Sequence, residues 1–251
     1  MRLDGRVSER TRSVRKRVRL RLLTEAIYRS LPRAVRYRAR MLIWVNGPFE
    51  VGKTQTVHEI ARRLPGSVVC DPEHIGFGLQ RSTPPALRPD FQDFAAWRAG
   101  VVEVLDLALR GAGGDVVVPM TVTSPRYLDE TVGRLRELGH DVGHVALLAR
   151  RETVVRRLAG RGAGVGAIAA RVGMTRVGLR REAWALEQLD RGLDALSAPV
   201  FAEHVVTDDR TVPEVADEIA RLWGLALRPS TDGRLVGGLR RVVTSVRHIR
   251  R

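Results

Sequence analysis

The sequence predicts an α/β fold in which a mainly parallel five-stranded sheet carries helices on both faces. Short apolar runs of strand length alternate with longer segments whose apolar residues recur every three or four positions. This alternation is typical of βαβ units, whose crossover helices cover both faces of a parallel sheet. A glycine-containing loop also joins the first run to the first helix, at the kind of sheet edge where α/β proteins bind ligands.

The five strands are predicted from apolar runs bounded by glycine, proline or polar residues, at 41–45, 67–70, 116–121, 145–148 and 204–207. Helices are predicted at 53–64, 91–110, 124–139 and 211–224. Proline, a T-x-x-E capping box or a closing glycine marks the ends of these helices. Between the third helix and the fourth strand, His140 and His144 stand among glycines, which indicates a turn with surface histidines and no metal site.

Composition divides the chain into a basic N-terminal extension over residues 1–40, a body over 41–227 and a basic tail over 228–251. Residues 159–178 are rich in glycine, alanine and valine, and they fall within a predicted lid insertion at about 150–198. The prediction is therefore one α/β domain with a lid insertion and basic terminal helices.

The net charge of +15 belongs to the two ends of the chain. Residues 1–40 carry 14 basic and 3 acidic side chains, residues 228–251 carry 7 and 1, and the body carries 22 and 24. A nearly neutral body disfavours a groove that tracks nucleic acid, because such a domain would itself be basic. We therefore expect the body to have no nucleic-acid partner.

The C-terminal tail predicts an amphipathic basic helix. Its apolar residues recur at helical spacing and arginines fill much of the other face: Leu235, Val236, Leu239, Val242, Val243, Val246 and Ile249 against Arg240, Arg241, Arg247, Arg250 and Arg251. Such a helix suits an anionic membrane surface, although a helix packed on the sheet has the same pattern. Residues 1–40 leave three interpretations open: a second surface helix, a nucleic-acid arm, or a misassigned start with Met41 as the true one.

The single cysteine, Cys70, excludes an internal disulfide and fits a reducing compartment. No apolar run approaches the roughly 18 residues that span a bilayer, and the N-terminus lacks the apolar stretch of a secretory signal. We therefore expect a cytoplasmic protein, peripheral at the inner face of the membrane if its basic ends bind there.

Residues 47–54 match the phosphate-binding motif G-x-x-x-x-G-K-[ST]. Its glycines let backbone N–H groups turn toward a phosphate, and the positive end of the following helix adds to the attraction. Lys53 is predicted to reach the β- and γ-phosphates of ATP, and the Thr54 hydroxyl to ligate Mg²⁺. The predicted nucleotide-binding set is Gly47, Pro48, Phe49, Glu50, Val51, Gly52, Lys53, Thr54 and Gln55.

Two residues of this loop are unusual. Lys53 is one of two lysines in a chain with 41 arginines. Because a guanidinium fork fits poorly between two phosphates, lysine at this position supports the motif. Glu50 stands where such loops commonly have a small residue, often glycine. A carboxylate beside a triphosphate is repulsive unless it points to solvent, so Glu50 predicts weaker nucleotide binding or turnover.

From Met41 onward the sequence resembles the tunicamycin-resistance ATP-binding proteins, which are relatives of the small P-loop kinases. The matching stretches are Ile43-Trp44-Val45-Asn46-Gly47-Pro48-Phe49, Lys53-Thr54-Gln55-Thr56, Asp71-Pro72-Glu73, Gly76-Phe77, Asp90-Phe91-Gln92, Val118-Pro119-Met120-Thr121 and Arg247-His248-Ile249. The resemblance covers most of 41–251. It implies a P-loop NTPase fold like that of nucleoside kinases, ATP binding and protection against a nucleoside antibiotic.

Asp71 follows the second strand, where related small-molecule kinases often place the carboxylate that deprotonates the acceptor hydroxyl. The alternative is an Asp-Pro turn. Arg157 and Arg161 follow the fourth strand, where lid arginines of such kinases stack on adenine and stabilise the transferred phosphoryl group; a solvated basic helix face is the alternative. The third strand ends without an acidic residue, so Mg²⁺ is expected on Thr54, water and Asp71.

The acceptor pocket is predicted within residues 77–98, where small kinases place theirs. Aromatic faces with carboxylates and arginines suit a nucleoside or a sugar. The candidates are Phe77, Arg81, Asp90, Phe91, Asp93, Trp97 and Arg98. For Phe94 and Trp97, helical spacing supports a core position equally well.

These features predict an ATP-binding protein that phosphorylates or sequesters a tunicamycin-like nucleoside. Lys53, Asp71, Arg157 and Arg161 are the predicted catalytic residues, and Thr54 is the predicted metal ligand. A kinase for an ordinary nucleotide or sugar and a regulatory ATPase associated with membrane or RNA are the alternatives.

Overall fold

The computed structural model describes residues 40–157, 189–201 and 203–230. Its elements, in chain order, are β1 (Met41–Asn46), α1 (Lys53–Arg63), β2 (Val68–Val69), α2 (Glu73–Ser82), α3 (Ala95–Gly111), β3 (Val116–Pro119), α4 (Pro125–Leu128), α5 (Arg134–Glu137), β4 (Asp141–Leu148), β5 (His204–Val206) and α6 (Val212–Trp223). A π-helical turn over Asp129–Gly133 joins α4 to α5 without a break. Residues 151–157 and 189–196 are also helical.

The five strands form one parallel sheet in the order β2-β3-β1-β4-β5. Because β1 lies at its centre, alternate residues of this strand enter two apolar layers. Met41, Ile43 and Val45 pack with α1 and α6, while Leu42 and Trp44 pack with α3 and the α4–α5 segment. The fold class predicted from the sequence is therefore confirmed.

The fourth strand begins at Asp141, and the predicted turn around His140 and His144 is wrong. Residues 141–146 pair in register with Met41–Asn46 of β1. A Cβ at Gly143 would lie 2.6 Å from the Trp223 ring, so this glycine admits α6 to the sheet rather than making a turn. His144 is buried rather than on the surface.

Arg63, whose side chain is 5% exposed, connects α1 to α6 and to the segment that follows α6. Its guanidinium donates to the Arg228 carbonyl at 2.6 Å and to Asp217 Oδ1 at 2.5 Å, and the Arg228 N–H donates back to the Arg63 carbonyl at 2.8 Å. The Thr211 capping box and the left-handed Gly224 begin and end α6 as predicted. Arg63 therefore links the helix after the loop to the last described segment of the chain.

Candidate functional site

The loop over residues 47–52 leaves the buried end of β1 and delivers the chain into α1 at Lys53. Gly47 and Gly52 have φ values of 152° and 106°, and a Cβ on Gly47 would lie 2.7 Å from Val51 Cγ1 and 2.9 Å from the Leu147 carbonyl. Only glycine fits this close approach of the chain to itself. The backbone therefore forms the tight cradle, at the N-terminus of a helix, that polyphosphates require.

Asn46, fully buried at the end of β1, holds the start of the cradle. Its Oδ1 accepts hydrogen bonds from the N–H groups of Gly47 at 2.8 Å and Val122 at 3.0 Å, and its Nδ2 donates to the Val122 carbonyl at 2.9 Å. Nδ2 also lies 3.2 Å from His144 Nε2. The Thr121 hydroxyl donates to the Gly47 carbonyl at 2.9 Å. The chain after β3 thus fixes the loop on one side.

Lys53 crosses the mouth of the cradle. Its Nζ donates to the Pro48 carbonyl at 2.9 Å and lies 5.6 Å from the centre of the Phe49 ring. Burial lowers the pKa of Lys53 to about 8, although Glu73, Glu50 and Asp71 act to raise it. Burial thus outweighs the nearby carboxylates, and a bound polyphosphate would raise the pKa of Lys53 again.

Glu50 is the only non-glycine residue with positive φ, at 61°, in the described part of the chain. This left-handed conformation costs roughly 1–2 kcal/mol for a residue with a Cβ, which explains why small residues are usual at this loop position. The side chain is half-buried and its Oε2 is inaccessible to solvent. The carboxylate therefore does not point away into solvent.

A cavity of about 260 Å³ lies beside the loop, between the start of α1 and the segment that joins β5 to α6. It is lined by Glu50, Val51, Gly52, Gln55, Thr56, Arg157, Thr207, Arg210, Thr211, Val212 and Val215. Its walls are polar and aliphatic, and they include three residues of the loop, Glu50, Val51 and Gly52.

Arg157 forms one wall of this cavity. It donates to the Val51 carbonyl at 3.2 Å, to Thr207 Oγ1 at 3.1 Å and to the Thr207 carbonyl at 2.7 Å. Burial lowers the pKa of its guanidinium. Arg157 is thus hydrogen-bonded to the loop backbone and to the end of β5, and it does not lie on a solvated basic helix face. The second predicted lid residue, Arg161, lies outside the described residues.

Asp71 lies at the carboxyl edge of the sheet, just after β2. Its Oδ1 accepts the Glu73 N–H at 3.0 Å, so it makes the turn into α2 that the structural alternative predicted. It is also close enough to Lys53 to act on that residue's pKa. The indole N–H of Trp97, on α3, donates to the Pro72 carbonyl at 3.0 Å and so holds this turn against the core.

The predicted acceptor region surrounds this turn. Phe77 and Phe91 meet edge to face with ring centres 5.9 Å apart. Asp93 accepts a hydrogen bond of 2.6 Å from the Tyr127 hydroxyl, which raises the tyrosine pKa. Arg81 and Asp90 are exposed, and Asp90 Oδ1 caps the turn over Phe91–Asp93 by accepting the Gln92 N–H at 2.9 Å.

Two residues of the predicted acceptor pocket are buried in the protein interior. Trp97 is fully buried and packs against Phe91 at 5.5 Å, so the core alternative describes it. Arg98 is 6% exposed, pairs with Glu130 and stacks on the Tyr127 ring at 4.5 Å. Helical spacing on α3 turns both side chains inward, and their assignment to the acceptor pocket stays a prediction.

Other residues at the site were not singled out from the sequence. Gln92 Nε2 donates to the Thr121 carbonyl at 3.1 Å. This bond connects the Phe91–Asp93 turn to the residue whose hydroxyl holds Gly47. Among the carboxylates that act to raise the pKa of Lys53, Glu73 has the largest effect. Thr207 and Arg210 line the cavity from the far side of the fold. Glu73 and Gln92 could have been found from the sequence, because they belong to the stretches 71–73 and 90–92 that carry the family resemblance. Thr207 and Arg210 belong to no such stretch or motif.

Thr54, the predicted metal ligand, is the second residue of α1 and is half-buried. Among the described residues there is no group of three or more His, Cys, Asp or Glu side chains placed to hold a metal ion. A Mg²⁺ ion at this edge would therefore rely on Thr54, solvent and phosphate oxygens, with Asp71 close by.

The described helices include none that is long and apolar enough to cross a membrane. Residues 1–39 of the basic extension and 231–251 of the basic tail lie outside the described residues, as does most of the predicted lid. The membrane and lid predictions therefore stay predictions.

A profile of the AAA domain family matches residues 42–177. Among solved structures, the chain is similar to the tunicamycin resistance protein of Deinococcus radiodurans, with 31% identity, a TM-score of 0.59 and coverage of 75% of this chain and 99% of that one. It is also similar to a gluconokinase from Sinorhizobium meliloti, with 20% identity, a TM-score of 0.46 and coverage of 75% and 96%. No curated protein sequence matches.

Proposed function

The chain belongs to the tunicamycin-resistance family of P-loop, kinase-like proteins, and we propose on this basis that it binds ATP with Mg²⁺ and inactivates a tunicamycin-like nucleoside antibiotic. The observation that carries the proposal is the cradle over residues 47–52, with the half-buried Lys53 across its mouth. The carboxylate of Asp71 follows β2 at the same sheet edge, and the paired rings of Phe77 and Phe91 belong to the helix and the turn that follow it. This arrangement supports binding of a polyphosphate beside an aromatic nucleoside.

In this proposal the triphosphate lies in the cradle and the base occupies the cavity beside it. Lys53 contacts the β- and γ-phosphates, and the N-terminus of α1 supplies further N–H donors. Arg157, held by Val51 and Thr207, forms a flat wall for the base. Mg²⁺, held by Thr54, would neutralise charge on the phosphate oxygens.

The proposed reaction is phosphoryl transfer to a hydroxyl of the drug. The hydroxyl oxygen bonds to the γ-phosphorus, the bond from that phosphorus to the β–γ bridging oxygen breaks, and ADP leaves. Asp71 accepts the proton of the hydroxyl, because its bond from the Glu73 N–H orients the carboxylate at the sheet edge. Lys53, Arg157 and Arg161 stabilise the charge that develops.

The direct experiment incubates the full chain with Mg²⁺, γ-labelled ATP and tunicamycin and then separates the drug. Transfer of label to the drug, dependent on the protein, is the expected result. If the drug binds the protein but stays unlabelled, the protein sequesters the drug and does not phosphorylate it. If neither ATP nor the drug binds, the proposal is wrong.

Replacing Asp71 by asparagine separates its two roles. An amide oxygen still accepts the Glu73 N–H, so the turn and the melting temperature should be preserved. The amide cannot take the acceptor proton, and we expect the rate of phosphoryl transfer to fall by roughly 10²- to 10⁴-fold with little change in ATP affinity. A D71N variant with the wild-type rate would assign Asp71 to the turn alone.

The pKa of Lys53 predicts how ATP affinity depends on pH. In the free protein the ammonium loses its proton at about pH 8, and bound phosphates hold the proton to higher pH. Affinity should therefore fall about tenfold between about pH 7 and about pH 9, with uptake of close to half a proton per ATP at about pH 8. Calorimetric titrations in buffers of different ionisation enthalpy measure that uptake. A flat profile with no proton uptake would contradict the placement of Lys53 against phosphate.

A further inference from the structure

Glu50 stands at the boundary between the phosphate cradle and the cavity of about 260 Å³. It belongs to the loop, yet its side chain lines the cavity together with Gln55, Thr56 and Arg157. Its carboxylate is close enough to both Lys53 and Arg157 to act on the charge of each. The side chain therefore lies between the group that meets the phosphates and the group that walls the cavity.

In a nucleoside triphosphate, the part between the phosphates and the base is the sugar. A ribose offers two hydroxyl donors on neighbouring carbons, and an ionised carboxylate is an acceptor that can receive both. Against phosphate the same carboxylate is repulsive, and the N–H donors of a base lie beyond the sugar, farther from a residue of the phosphate loop. Of the three parts of the nucleotide, the sugar is the one whose chemistry complements Glu50.

The backbone supports a specific use of this side chain. Glu50 adopts φ 61°, a conformation that glycine adopts without strain. The side chain is half-buried and lines the cavity, and its Oε2 is inaccessible to solvent. A charged residue kept in a strained loop position and turned toward a ligand cavity is typical of a residue that contacts the ligand.

We propose that Glu50 binds the ribose of the nucleotide and makes the site select ribonucleotides over deoxyribonucleotides. The inference rests on the proposed nucleotide-binding function and adds the sugar specificity of that site. The hydroxyls at C2′ and C3′ donate to the carboxylate through Oε1, because Oε2 is inaccessible to solvent. The hydrogen bonds compensate for the repulsion between Glu50 and the phosphates, which reconciles a carboxylate in this loop with nucleotide binding.

The experiment measures equilibrium affinities of the full chain for ATP, 2′-deoxy-ATP and 3′-deoxy-ATP, each with Mg²⁺. The wild type should bind ATP about tenfold or more tightly than either deoxy analogue, since a hydrogen bond to a charged acceptor is lost in each. In Glu50→Gly, whose backbone suits φ 61°, the three affinities should agree within about twofold. Glu50→Gln, which keeps one acceptor oxygen and no charge, should fall between the two.

The preference for ATP over GTP serves as the control, because it reports the base and not the sugar. It should be the same in the wild type and in Glu50→Gly. If the wild type binds ATP and its deoxy analogues equally, or if the glycine variant keeps the wild-type preference, the ribose assignment is wrong while nucleotide binding stands. If the variant changes sugar and base preference by the same factor, Glu50 shapes the loop and does not bind ribose. If no nucleotide binds the wild type, the proposed function itself fails.

Discussion

Replacing Lys53 by alanine should weaken binding of MgATP by at least about 100-fold and lower phosphoryl transfer by roughly 10³-fold. In the proposed complex the ammonium makes charge-assisted hydrogen bonds to two phosphates, each worth roughly 1.5–3 kcal/mol, and it opposes charge that grows during transfer. Titration calorimetry and the labelled-drug assay measure the two effects. The loss of affinity should be seen with ADP as well, because the lysine contacts the β-phosphate.

The fold should not suffer from this change. Burial lowers the pKa of Lys53 to about 8, so below that pH the folded protein carries an ammonium that prefers water. Removal of the charge should leave the melting temperature at about pH 7 unchanged or higher. Loss of binding together with a lower melting temperature would mean that Lys53 mainly supports the loop. Retained ATP affinity would exclude the lysine from the nucleotide site.

Replacing Arg63 by alanine should have the largest effect on stability. The guanidinium is 5% exposed, and its removal takes the donors from the Arg228 carbonyl and from Asp217. Truncation of one partner of a buried charge pair costs about 3–5 kcal/mol, reduced here to about 2–4 kcal/mol because Asp217 is half exposed. Denaturant unfolding should show this loss, and the melting temperature should fall by about 4–16 °C.

Arg62 provides the matched control on the same helix. Its side chain is 30% exposed and pairs with Glu59 one turn earlier, so Arg62→Ala should cost at most about 0.5 kcal/mol. If the two alanine variants are equally stable, Arg63 does not fasten α1 to α6 and to Arg228. ATP affinity should be close to that of the wild type in both, because Arg63 ends α1 at the side away from the loop.

Much of this fold follows from local pattern. Alternation of apolar runs and helical periodicity predicts the order of strands and helices, and the capping box predicts α6. The fourth strand was predicted four residues short because Gly143 was taken for a turn former. That glycine is needed instead for close contact with Trp223, which is 80 residues away along the chain, and local pattern contains no information about such a contact.

The site divides in the same way. The phosphate cradle was predictable residue by residue, since its spacing and its glycines are imposed by backbone geometry. The inward positions of Trp97 and Arg98 were less evident, because a helix that contains both aromatic and charged residues can turn either toward the core. Thr207 lines the cavity because β5 lies next to β4 in the parallel sheet, and the sequence does not state this strand order.

The central claim is that the loop over residues 47–54 binds a nucleoside triphosphate, and titration of the full chain with a non-hydrolysable ATP analogue and Mg²⁺ tests it most directly. One site per chain is predicted, with a melting temperature that rises as the ligand concentration increases. The binding should disappear in the Lys53→Ala variant. Absence of saturable binding by the wild type up to millimolar analogue would contradict the account.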